Sequence, residues 1–427
     1  MKHSTKWGPA VALVASVALL VSGSSSASSS AATASPAAVT PVTITFWHSY
    51  SEAGSEVQTI TDNLIPRFEA EHPGITVKQV AIPYDSLHQK LLTAAAGGDL
   101  PDVVRLDLSW VAELANLGVL SKLNTEMSDF TKYSKLVFPG TLASNYFKGS
   151  YYGLPLDTNT RIMFWNKAAF AKAKISKAPA TFAELVADAP KLKKVGIYVF
   201  GESGTGGWNT LPWIWSGGGD ITDAKFTKST GYLNSAKNIA TVQMLVNMYK
   251  KGYIPNLITG NKSALGTSDG LAKGKYASIL DGPWMVPVMK GMYPNFKLAM
   301  APVPAGPGGS VSVVGGEDVA MMSTTTQKAA SLELIRYMLS PDWQLSMAKV
   351  GQMPVRKDLN AVLPSVQSYY KLFAQQLLTA KPRIPSPNWT KIDQIVNDQM
   401  QRALNGSMTV KAALTAAAKA IDPLLVA

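Results

Sequence analysis

The chain alternates short apolar runs with polar loops from Val42 onward. The run VTITFW alternates apolar and polar side chains, which predicts a half-buried strand, and it breaks at His48. Farther along, DVVRL predicts a second strand that gives way to a polar loop from Asp107 to Trp110. Ligands of open α/β sheets bind at the carboxyl ends of strands. We therefore expect both loops to contribute to one binding site.

Helical patterns separate these strands. Apolar residues recur at helical spacing over 57–71, where Pro66 is expected to kink the helix or tighten its last turn. The run ITVKQV predicts another strand, and helices are expected over 84–96 and over 110–117. This alternation of strand and helix predicts a parallel, doubly wound sheet.

A second α/β region is expected, because 427 residues are more than one ordinary core accommodates. The polar break at 151–160 and the segment LAMAPVPAGPGG are interpreted as crossings between two lobes. The other predicted elements are helices near 182–187 and over 233–250, a glycine- and tryptophan-rich loop at 201–220, the strand YASIL before 281–284, and a strand at 311–314. The last third is predicted to be helical, over 326–339, 342–350, 366–378, 388–404 and 409–425.

The amino terminus has the pattern of an export signal. Lys2 and Lys6 precede the apolar run 11–21, which is too short to span a hydrocarbon core of about 30 Å. We expect a signal peptide over 1–34, cleaved after the small residues 32–34, and then a flexible tether over 35–41. Ser24 stands where the lipid-attachment motif of bacterial lipoproteins has cysteine, so a lipid anchor is not expected there. The expected location is extracellular or associated with the cell envelope.

The net charge of +12 is scattered along the chain. Its densest cluster is Lys191, Lys193 and Lys194, and the sequence has no arginine-rich arm, so nucleic acid is not an expected partner. We interpret the excess as a solvated basic surface, with an anionic ligand as the alternative. The chain has no cysteine, which excludes disulfides and thiolate chemistry.

Two glycine-rich motifs have ordinary explanations. The residues GTSDG at 266–270 match a hydrolase nucleophile elbow, but every histidine lies upstream, so we expect a helix start capped by Ser268 or Asp269. The segment 270–276 is one residue short of a phosphate loop. The histidines do not share a helical face as zinc ligands would. We therefore predict no catalytic residue, metal ion or cofactor.

Many of the ten tryptophans lie near glycines, prolines or strand ends. An indole covers the apolar face of a sugar ring, whereas carboxylates and amides bind its hydroxyls. Trp165 and Trp343 are expected to pack in the core, and Trp215 is compatible with either role. The pattern favours an aromatic-lined cleft with contributions from Trp47, Trp110, Trp208, Trp213, Trp284 and Trp389.

The order of several segments resembles the family 1 extracellular solute-binding proteins of bacterial ABC importers, which include maltose-binding protein. The resemblance covers almost everything after Val42. It rests on ITFWHSY, FEAEHPGITV, LLTAAAGGDLPDVV with LANLGVLSKL, YYGLPLDTNTRIMFWNKAAF, WSGGGD, LAKGKYASILDGPW, GGEDVAMMSTT and GQMPVRKD. It implies a periplasmic-binding-protein fold of two α/β lobes, each a doubly wound sheet flanked by helices, joined by a multi-strand hinge.

The resemblance also implies boundaries and ligand contacts. It places an amino-terminal lobe at 42–154 and 302–356, and a carboxy-terminal lobe at 157–298 and 360–427. The implied contacts are His48, Ser49, Glu52, Asp107, Trp110, Asp157, Asn159, Trp208, Trp213, Trp284, Gly316, Glu317, Arg356 and Trp389.

The implied function is that of a monomeric receptor. It would bind a di- or oligosaccharide between the lobes, close on it and deliver it to the transmembrane permease subunits without catalysis. A phosphorylated polyol, such as a glycerophosphodiester, is an alternative ligand that Arg356 and the basic charge balance permit. A secreted glycoside hydrolase that uses Asp107 and Glu317 as its acid and base is the alternative of a different class.

Overall fold

The structure is a computed structural model that describes residues 40–425. The expected signal peptide, Ser24 and the part of the tether up to residue 39 lie outside the described residues. The helices within 40–425 are each too short or too polar to cross a bilayer.

The described strands form three sheets. They are β1 (Val42–His48), β2 (Ile75–Ala81), β3 (Val103–Asp107), β4 (Tyr146–Phe147), β5 (Ser150–Tyr151), β6 (Leu154–Thr160), β7 (Ile162–Trp165), β8 (Ser278–Asp281), β9 (Ala299–Ala301), β10 (Val314–Met321) and β11 (Met353–Pro354). A six-stranded sheet has the order β11-β6-β10-β3-β1-β2, and a three-stranded sheet has the order β8-β7-β9. The short strands β4 and β5 form a hairpin.

Strands β1, β2 and β3 form the parallel unit that the sequence predicts. β1 pairs in parallel with both β2 and β3, so β1 and β3 reach the same edge of the sheet, at His48 and Asp107. β10 is antiparallel to both β3 and β6, and β11 is antiparallel to β6. The complete sheet is therefore mixed rather than wholly parallel, because the chain returns to it from the second lobe in the opposite direction.

Helices surround both large sheets. The α-helices are α1 (Glu56–Thr59), α2 (Ile65–Glu71), α3 (Tyr84–Gly97), α4 (Val111–Asn116), α5 (Leu123–Glu126), α6 (Phe130–Leu136), α7 (Pro139–Leu142), α8 (Lys167–Lys172), α9 (Phe182–Lys194), α10 (Gly207–Ser216), α11 (Ala236–Lys250), α12 (Thr267–Ala272), α13 (Met285–Met292), α14 (Lys328–Met338), α15 (Pro341–Lys349), α16 (Leu363–Val366), α17 (Tyr370–Leu377), α18 (Trp389–Asn405) and α19 (Val410–Leu425). The predicted helical character of the last third is confirmed, with boundaries shifted by a few residues.

The side chains of β3 point alternately into two cores, one on each face of the six-stranded sheet. Val103 joins the cluster that contains Trp343, whereas Val104 joins the cluster that contains Trp110. Every residue of β3 is buried, as expected for a central strand. The charged Arg105 of this strand therefore needs its partners inside the protein.

The second lobe is built around the small sheet and a helical core. β7 is antiparallel to β8 and β9, and α18 and α19 supply much of the apolar core. The chain passes between the two large sheets at Arg161, between β9 and β10, and after β11. These crossings form the hinge.

The predicted helical stripe over 57–71 is confirmed. A π-helical turn at Ile60–Leu64 joins α1 to α2, and Pro66 lies in the first turn of α2. Proline has no N–H to donate, and its ring clashes with the carbonyl four residues earlier. The wider π turn just before Pro66 therefore keeps the helical stretch continuous.

Two predicted segments are wrong. The expected loop at 201–220 contains α10, because burial of its apolar residues outweighs the low helix propensity of glycine and proline. The expected strand at 311–314 instead begins at Val314 and continues through Gly315 and Gly316 to Met321. Only glycine fits at position 316, because a Cβ there would overlap the Asp157 carbonyl oxygen of the neighbouring strand.

A helix does start within GTSDG, but the expected side-chain cap is wrong. α12 begins at Thr267, and neither Ser268 nor Asp269 caps it. Asp269 instead accepts from Lys273 and Tyr293.

Candidate functional site

Arg105 is enclosed by carboxylates in the middle of the six-stranded sheet. Its Nε donates to Asp157 Oδ2 at 3.0 Å, and a terminal nitrogen lies 2.8 Å from Glu317 Oε2. The guanidinium carbon also lies 4.0 Å from the centroid of the Tyr50 ring. The side chains of Arg105 and Asp157 are only 3% and 4% exposed, so these charges balance each other instead of being solvated by water.

Strand register brings these groups to one face of the sheet. Glu317 of β10 is paired with Asp157 on one side and with Asp107 on the other. Residues paired across a ladder share a face, and Arg105 lies two residues before Asp107 on the same strand. We call Arg105, Asp107, Asp157 and Glu317 the sheet-end cluster.

Burial, with a contribution from neighbouring carboxylates, favours the protonated form of Glu317. Burial raises the pKa of Glu317 well above its usual value; Arg105 opposes this shift and Asp157 adds to it. Protonation of Glu317 removes one of two like charges, which allows the two carboxyl groups to lie side by side.

The first loop carries two carboxylates, Glu52 and Glu56, of which only Glu56 is buried. Glu52 is exposed, whereas Glu56 accepts from Ser51 N–H at 2.7 Å and from Gln352 Nε2 at 2.8 Å. Burial raises the pKa of Glu56 in spite of these hydrogen bonds. Gln352 Oε1 also accepts from Arg105 at 3.3 Å, which links Glu56 to the sheet-end cluster.

Ser49 and His48, from the same loop, differ in their surroundings. Ser49 Oγ accepts from Arg105 at 3.3 Å and so belongs to the site. His48 is fully buried, with Nε2 paired to Gln79 at 2.7 Å and Nδ1 accepting from Tyr50 N–H. Burial lowers the pKa of His48 to about 4, so its ring is neutral at pH 7. His48 therefore shapes the loop, with both ring nitrogens already bonded inside the protein.

Asp107 lies beside Trp110, in a pocket of aromatic and polar groups. Its Oδ1 accepts from Ser109 N–H and its Oδ2 from the Tyr84 hydroxyl, both at 2.8 Å. The rings of Tyr84 and Trp110 are 5.4 Å apart, and Arg383 of the second lobe lies 2.8 Å from Asp107. Burial raises the pKa of Asp107, but Arg383 and Ser109 outweigh burial and hold it below its usual value. Asp107 is therefore ionised.

Arg161, where β6 continues into β7, forms another buried ion pair. One terminal nitrogen donates to both Glu202 oxygens at 3.0 and 2.9 Å, and both side chains are 2% exposed. The other terminal nitrogen donates to the Trp208 carbonyl at 3.0 Å, and the guanidinium carbon lies 5.6 Å from that indole. Arg161 therefore holds Trp208 beside the hinge.

Trp208 and Trp284 stack in the second lobe, with ring centroids 6.0 Å apart. Both indoles are half-buried. Gly315 allows Trp208 to approach Asn159 of β6, because a Cβ at position 315 would overlap the Asn159 side chain and lie 2.7 Å from the Trp208 ring. The predicted contact residues Asn159, Trp208 and Trp284 are thus brought together next to the hinge.

Other predicted contacts lie away from the Trp208–Trp284 pair. Trp213 is 2% exposed and packs between Phe182 and Phe200 in the core of the second lobe. Arg356 donates to Asp358 at 2.6 Å and to a backbone carbonyl, within the first lobe. Both side chains are therefore structural, because a large ring gains most from full burial and a buried guanidinium needs partners.

Trp389 and Gly316, which are predicted contacts, and Trp47, which is predicted to line the cleft, also contact other parts of the protein. Trp389 is 4% exposed, and its ring lies so close to Gly207 that a Cβ there would be 2.8 Å away. It therefore supports the segment that carries Trp208. Lys90 Nζ lies 4.6 Å from the centroid of the Trp47 ring. The Gly316 carbonyl accepts from Leu108 N–H, in the loop after β3, at 3.2 Å.

The sequence interpretation missed several charged residues of the site, namely Glu56, Arg105, Arg161, Glu202, Asp281 and Arg383. Arg105 had a usable signal, because a charge inside the apolar run DVVRL must be paired within the protein. Arg383 had no usable signal in the sequence, since its partner Asp107 lies 276 positions away.

Burial raises the pKa of Asp281 to about 6 although Arg161 opposes the shift.

Buried polar atoms of the site keep unused hydrogen-bonding capacity. The acceptors Asp157 Oδ1 and Asn159 Oδ1 and the donors Arg161 Nε and Arg383 Nε have no partner among the described residues. Hydroxyl groups suit such a mixture because each can both donate and accept. The described part of the chain contains no cluster of histidines and carboxylates arranged to hold a metal ion.

Comparison with known proteins identifies the family. Residues 53–345 match the bacterial extracellular solute-binding proteins. The chain belongs to this family. One relative, from Brucella abortus and described as a binding protein, is 28% identical over 380 residues, which cover 84% of this chain and 88% of the relative. The sn-glycerol-3-phosphate-binding periplasmic protein UgpB of Yersinia pseudotuberculosis is 25% identical over 430 residues, which cover 90% of this chain and 92% of UgpB.

The fold matches a solved member of the family. The GacH receptor of Streptomyces glaucescens, known without ligand and in complex with acarbose, superposes with a TM-score of 0.81 at 26% identity, over 90% of this chain and 98% of the receptor. The predicted family and the two-lobed periplasmic-binding-protein fold are therefore confirmed. This solute-binding protein belongs to the class that serves ABC transporters.

Proposed function

We propose that this protein is an extracytoplasmic receptor that binds an uncharged di- or oligosaccharide between its lobes. Lobe closure then presents the unaltered sugar to the permease of an ABC importer. The observation that carries the proposal is the pairing of every site arginine with carboxylate: Arg105 with Asp157 and Glu317, Arg161 with Glu202, and Arg383 with Asp107.

This pairing favours a neutral ligand over a phosphate. A phosphate is usually held by arginines that are free to form bidentate bonds with it. Here such a bond would have to displace a carboxylate from a buried ion pair and leave that charge uncompensated. Glu56 and Asp281 add further buried carboxyl groups, whose ionised forms would repel an anion.

The aromatic pair supports a ring-shaped ligand. Trp208 and Trp284 are half-buried, which leaves part of each indole for contact with the apolar face of a sugar. The unpaired acceptors Asp157 Oδ1 and Asn159 Oδ1 suit its hydroxyl groups.

Closure needs no chemical step. A sugar that touches both lobes binds the closed form better than the open form, and this difference in affinity drives the population shift. A glycoside hydrolase that uses Asp107 and Glu317 as its acid and base is disfavoured, because Tyr84, Ser109 and Arg383 already occupy the oxygens of Asp107.

A phosphorylated polyol remains the second candidate, because the Yersinia relative is named for sn-glycerol 3-phosphate. The test is calorimetric titration with maltose, maltotriose, mannobiose and sn-glycerol 3-phosphate in parallel. We expect one-to-one binding of a saccharide, with quenching of tryptophan fluorescence and no products by chromatography. Tight binding of sn-glycerol 3-phosphate alone would reverse the choice of ligand, and turnover of any saccharide would refute the receptor role.

A further inference from the structure

Arg383 and Asp107 form a buried ion pair between the two lobes. One terminal nitrogen of Arg383 lies 2.8 Å from Asp107 Oδ1 and donates to Oδ2 at 3.1 Å, while the other donates to Ser109 Oγ at 3.1 Å. Both charged side chains are only 7% exposed. Asp107 ends β3 of the six-stranded sheet, whereas Ile384, next to Arg383, belongs to the core of the second lobe.

A second contact lies near the Arg383–Asp107 ion pair. Thr390 Oγ1 donates to Glu113 Oε2 at 2.7 Å, and the same oxygen is 2.9 Å from His88 Nε2. The segment from Arg383 to the first turn of α18 therefore touches the segment from the end of β3 into α4 at two places, one charged and buried and the other half-buried.

Asp107 has no capacity left for a ligand in this arrangement. A carboxylate offers about four acceptor positions. Ser109 N–H and Oγ occupy Oδ1, the Tyr84 hydroxyl occupies Oδ2, and Arg383 approaches both oxygens. The carboxylate that the sequence predicts as a sugar contact is thus fully used by the protein itself.

The first lobe also holds this carboxylate. Tyr84 and Ser109 lie in the same lobe as Asp107, so their hydrogen bonds to it do not depend on Arg383. Closure then has to dock only the guanidinium, whose planar donors match a preformed carboxylate.

We propose that Asp107 and Arg383 are an interlobe clamp that sets how much of the ligand-free protein is closed. The apparent affinity for a solute depends on the fraction of protein in the binding-competent state. Arg383 is thus a positioning residue that acts through lobe closure. Its effect on affinity rests on the proposed receptor function, whereas its effect on ligand-free closure does not.

The absence of native cysteine permits a direct test. Lys78→Cys in β2 and Lys237→Cys in α11 change two exposed residues of different lobes, and spin labels there report the interlobe distance by double electron–electron resonance. We expect Arg383→Gln to shift the ligand-free distance distribution to longer values, and Arg383→Lys to restore part of the short-distance population. Arg356→Gln is the matched control, because Arg356 is equally buried but pairs with Asp358 within one lobe.

An unchanged distribution in Arg383→Gln would overturn the clamp, as would an equal shift in Arg356→Gln. Circular dichroism verifies folding; if Arg383→Gln does not fold, Asp107→Asn removes the same pair from the other side and is expected to lengthen the distance. Titration with maltotriose completes the test, with a dissociation constant about tenfold higher in Arg383→Gln. Failure of maltotriose to bind even the unmodified protein counts against the proposed ligand, while the ligand-free distances still decide the clamp.

Discussion

Trp208 and Trp284 stack on each other with an interplanar angle of 27°, next to the hinge between the lobes. Trp208 enters this pair from α10, which the sequence pattern misidentifies as a loop, and Trp284 from the turn after β8. Arg161 fixes the backbone of Trp208 through its carbonyl. The pair is therefore a partly exposed aromatic surface, which we propose as a contact for the ligand.

Trp284→Ala is expected to weaken saccharide binding about tenfold, or roughly 1.4 kcal/mol, because a stacking surface is lost. Its melting temperature should change little, since the indole is only half-buried. Isothermal titration calorimetry and differential scanning calorimetry measure the two effects. Trp343→Phe is the control: Trp343 is fully buried in the first lobe, so stability should fall while affinity stays. The reverse pattern would place Trp284 in the core.

Arg105→Met is expected to lower the free energy of unfolding by about 3–5 kcal/mol at pH 8, because Asp157 and Glu317 lose their buried counter-charge. The loss should be smaller at pH 5, because burial raises the pKa of Glu317 and its protonation relieves the repulsion. Urea denaturation at both pH values measures it. Arg336→Met removes a half-exposed pair with Asp129 and should cost less than about 1 kcal/mol. Equal losses in both variants would contradict a special role for the sheet-end cluster.

Asp318→Asn is expected to stabilise the protein at pH 8 and to leave it nearly unchanged at pH 4. Burial raises the pKa of Asp318 to about 7 although Asn145 and Ser144 donate to it. The folded state therefore holds a proton that the unfolded state releases near pH 4, so stability falls as the pH rises from about 4 through 7.

The gain in Asp318→Asn should be on the order of 2–4 kcal/mol at pH 8. Unfolding monitored by circular dichroism across pH 4–8 tests it, and a difference that is independent of pH would show that packing rather than ionisation decides the effect. Asp342→Asn is a suitable comparison, because Asp342 is a half-exposed partner of Arg67 in the same lobe.

Gly316→Ala is expected to destabilise the protein by about 1–3 kcal/mol, because φ is 140° there and the added Cβ would overlap the Asp157 carbonyl. Gly97→Ala is the matched control: nothing lies within 4 Å of a Cβ at the end of α3, and alanine favours helix by up to about 1 kcal/mol. Thermal unfolding of both variants separates strain from a general effect of replacing glycine. Gly316→Ala with unchanged stability would mean that β10 shifts to accommodate the methyl group.

Much of the fold was accessible from local sequence pattern. The ends of β1 and β3, the helix at Tyr84–Gly97 and the long carboxy-terminal helices follow from periodicity over neighbouring residues. α10 was missed because glycine and proline normally mark loops, and only burial within the second lobe makes a helix there favourable.

The candidate site was accessible only in part. Eight of the predicted contacts lie where the strand ends and the hinge meet, namely Ser49, Asp107, Trp110, Asp157, Asn159, Trp208, Trp284 and Glu317. Their contact with a ligand stays a prediction. The sequence did not reveal that Glu56 turns inward, because the conformation of a short loop decides this and Ser51 N–H donates to Glu56. Trp213 was misplaced since sequence spacing does not reveal which face of a buried helix meets the core.

The amino-acid sequence by itself determined much of the secondary-structure order, the family and the kinds of side chain at the strand ends, because these depend on short-range pattern. Only the tertiary structure decided which charges are partners. Arg105 meets Glu317 and Arg383 meets Asp107 across more than 200 positions of chain, through strand order and the packing of distant segments. A buried charge needs a partner of opposite charge, but the folded backbone decides which residue that partner is.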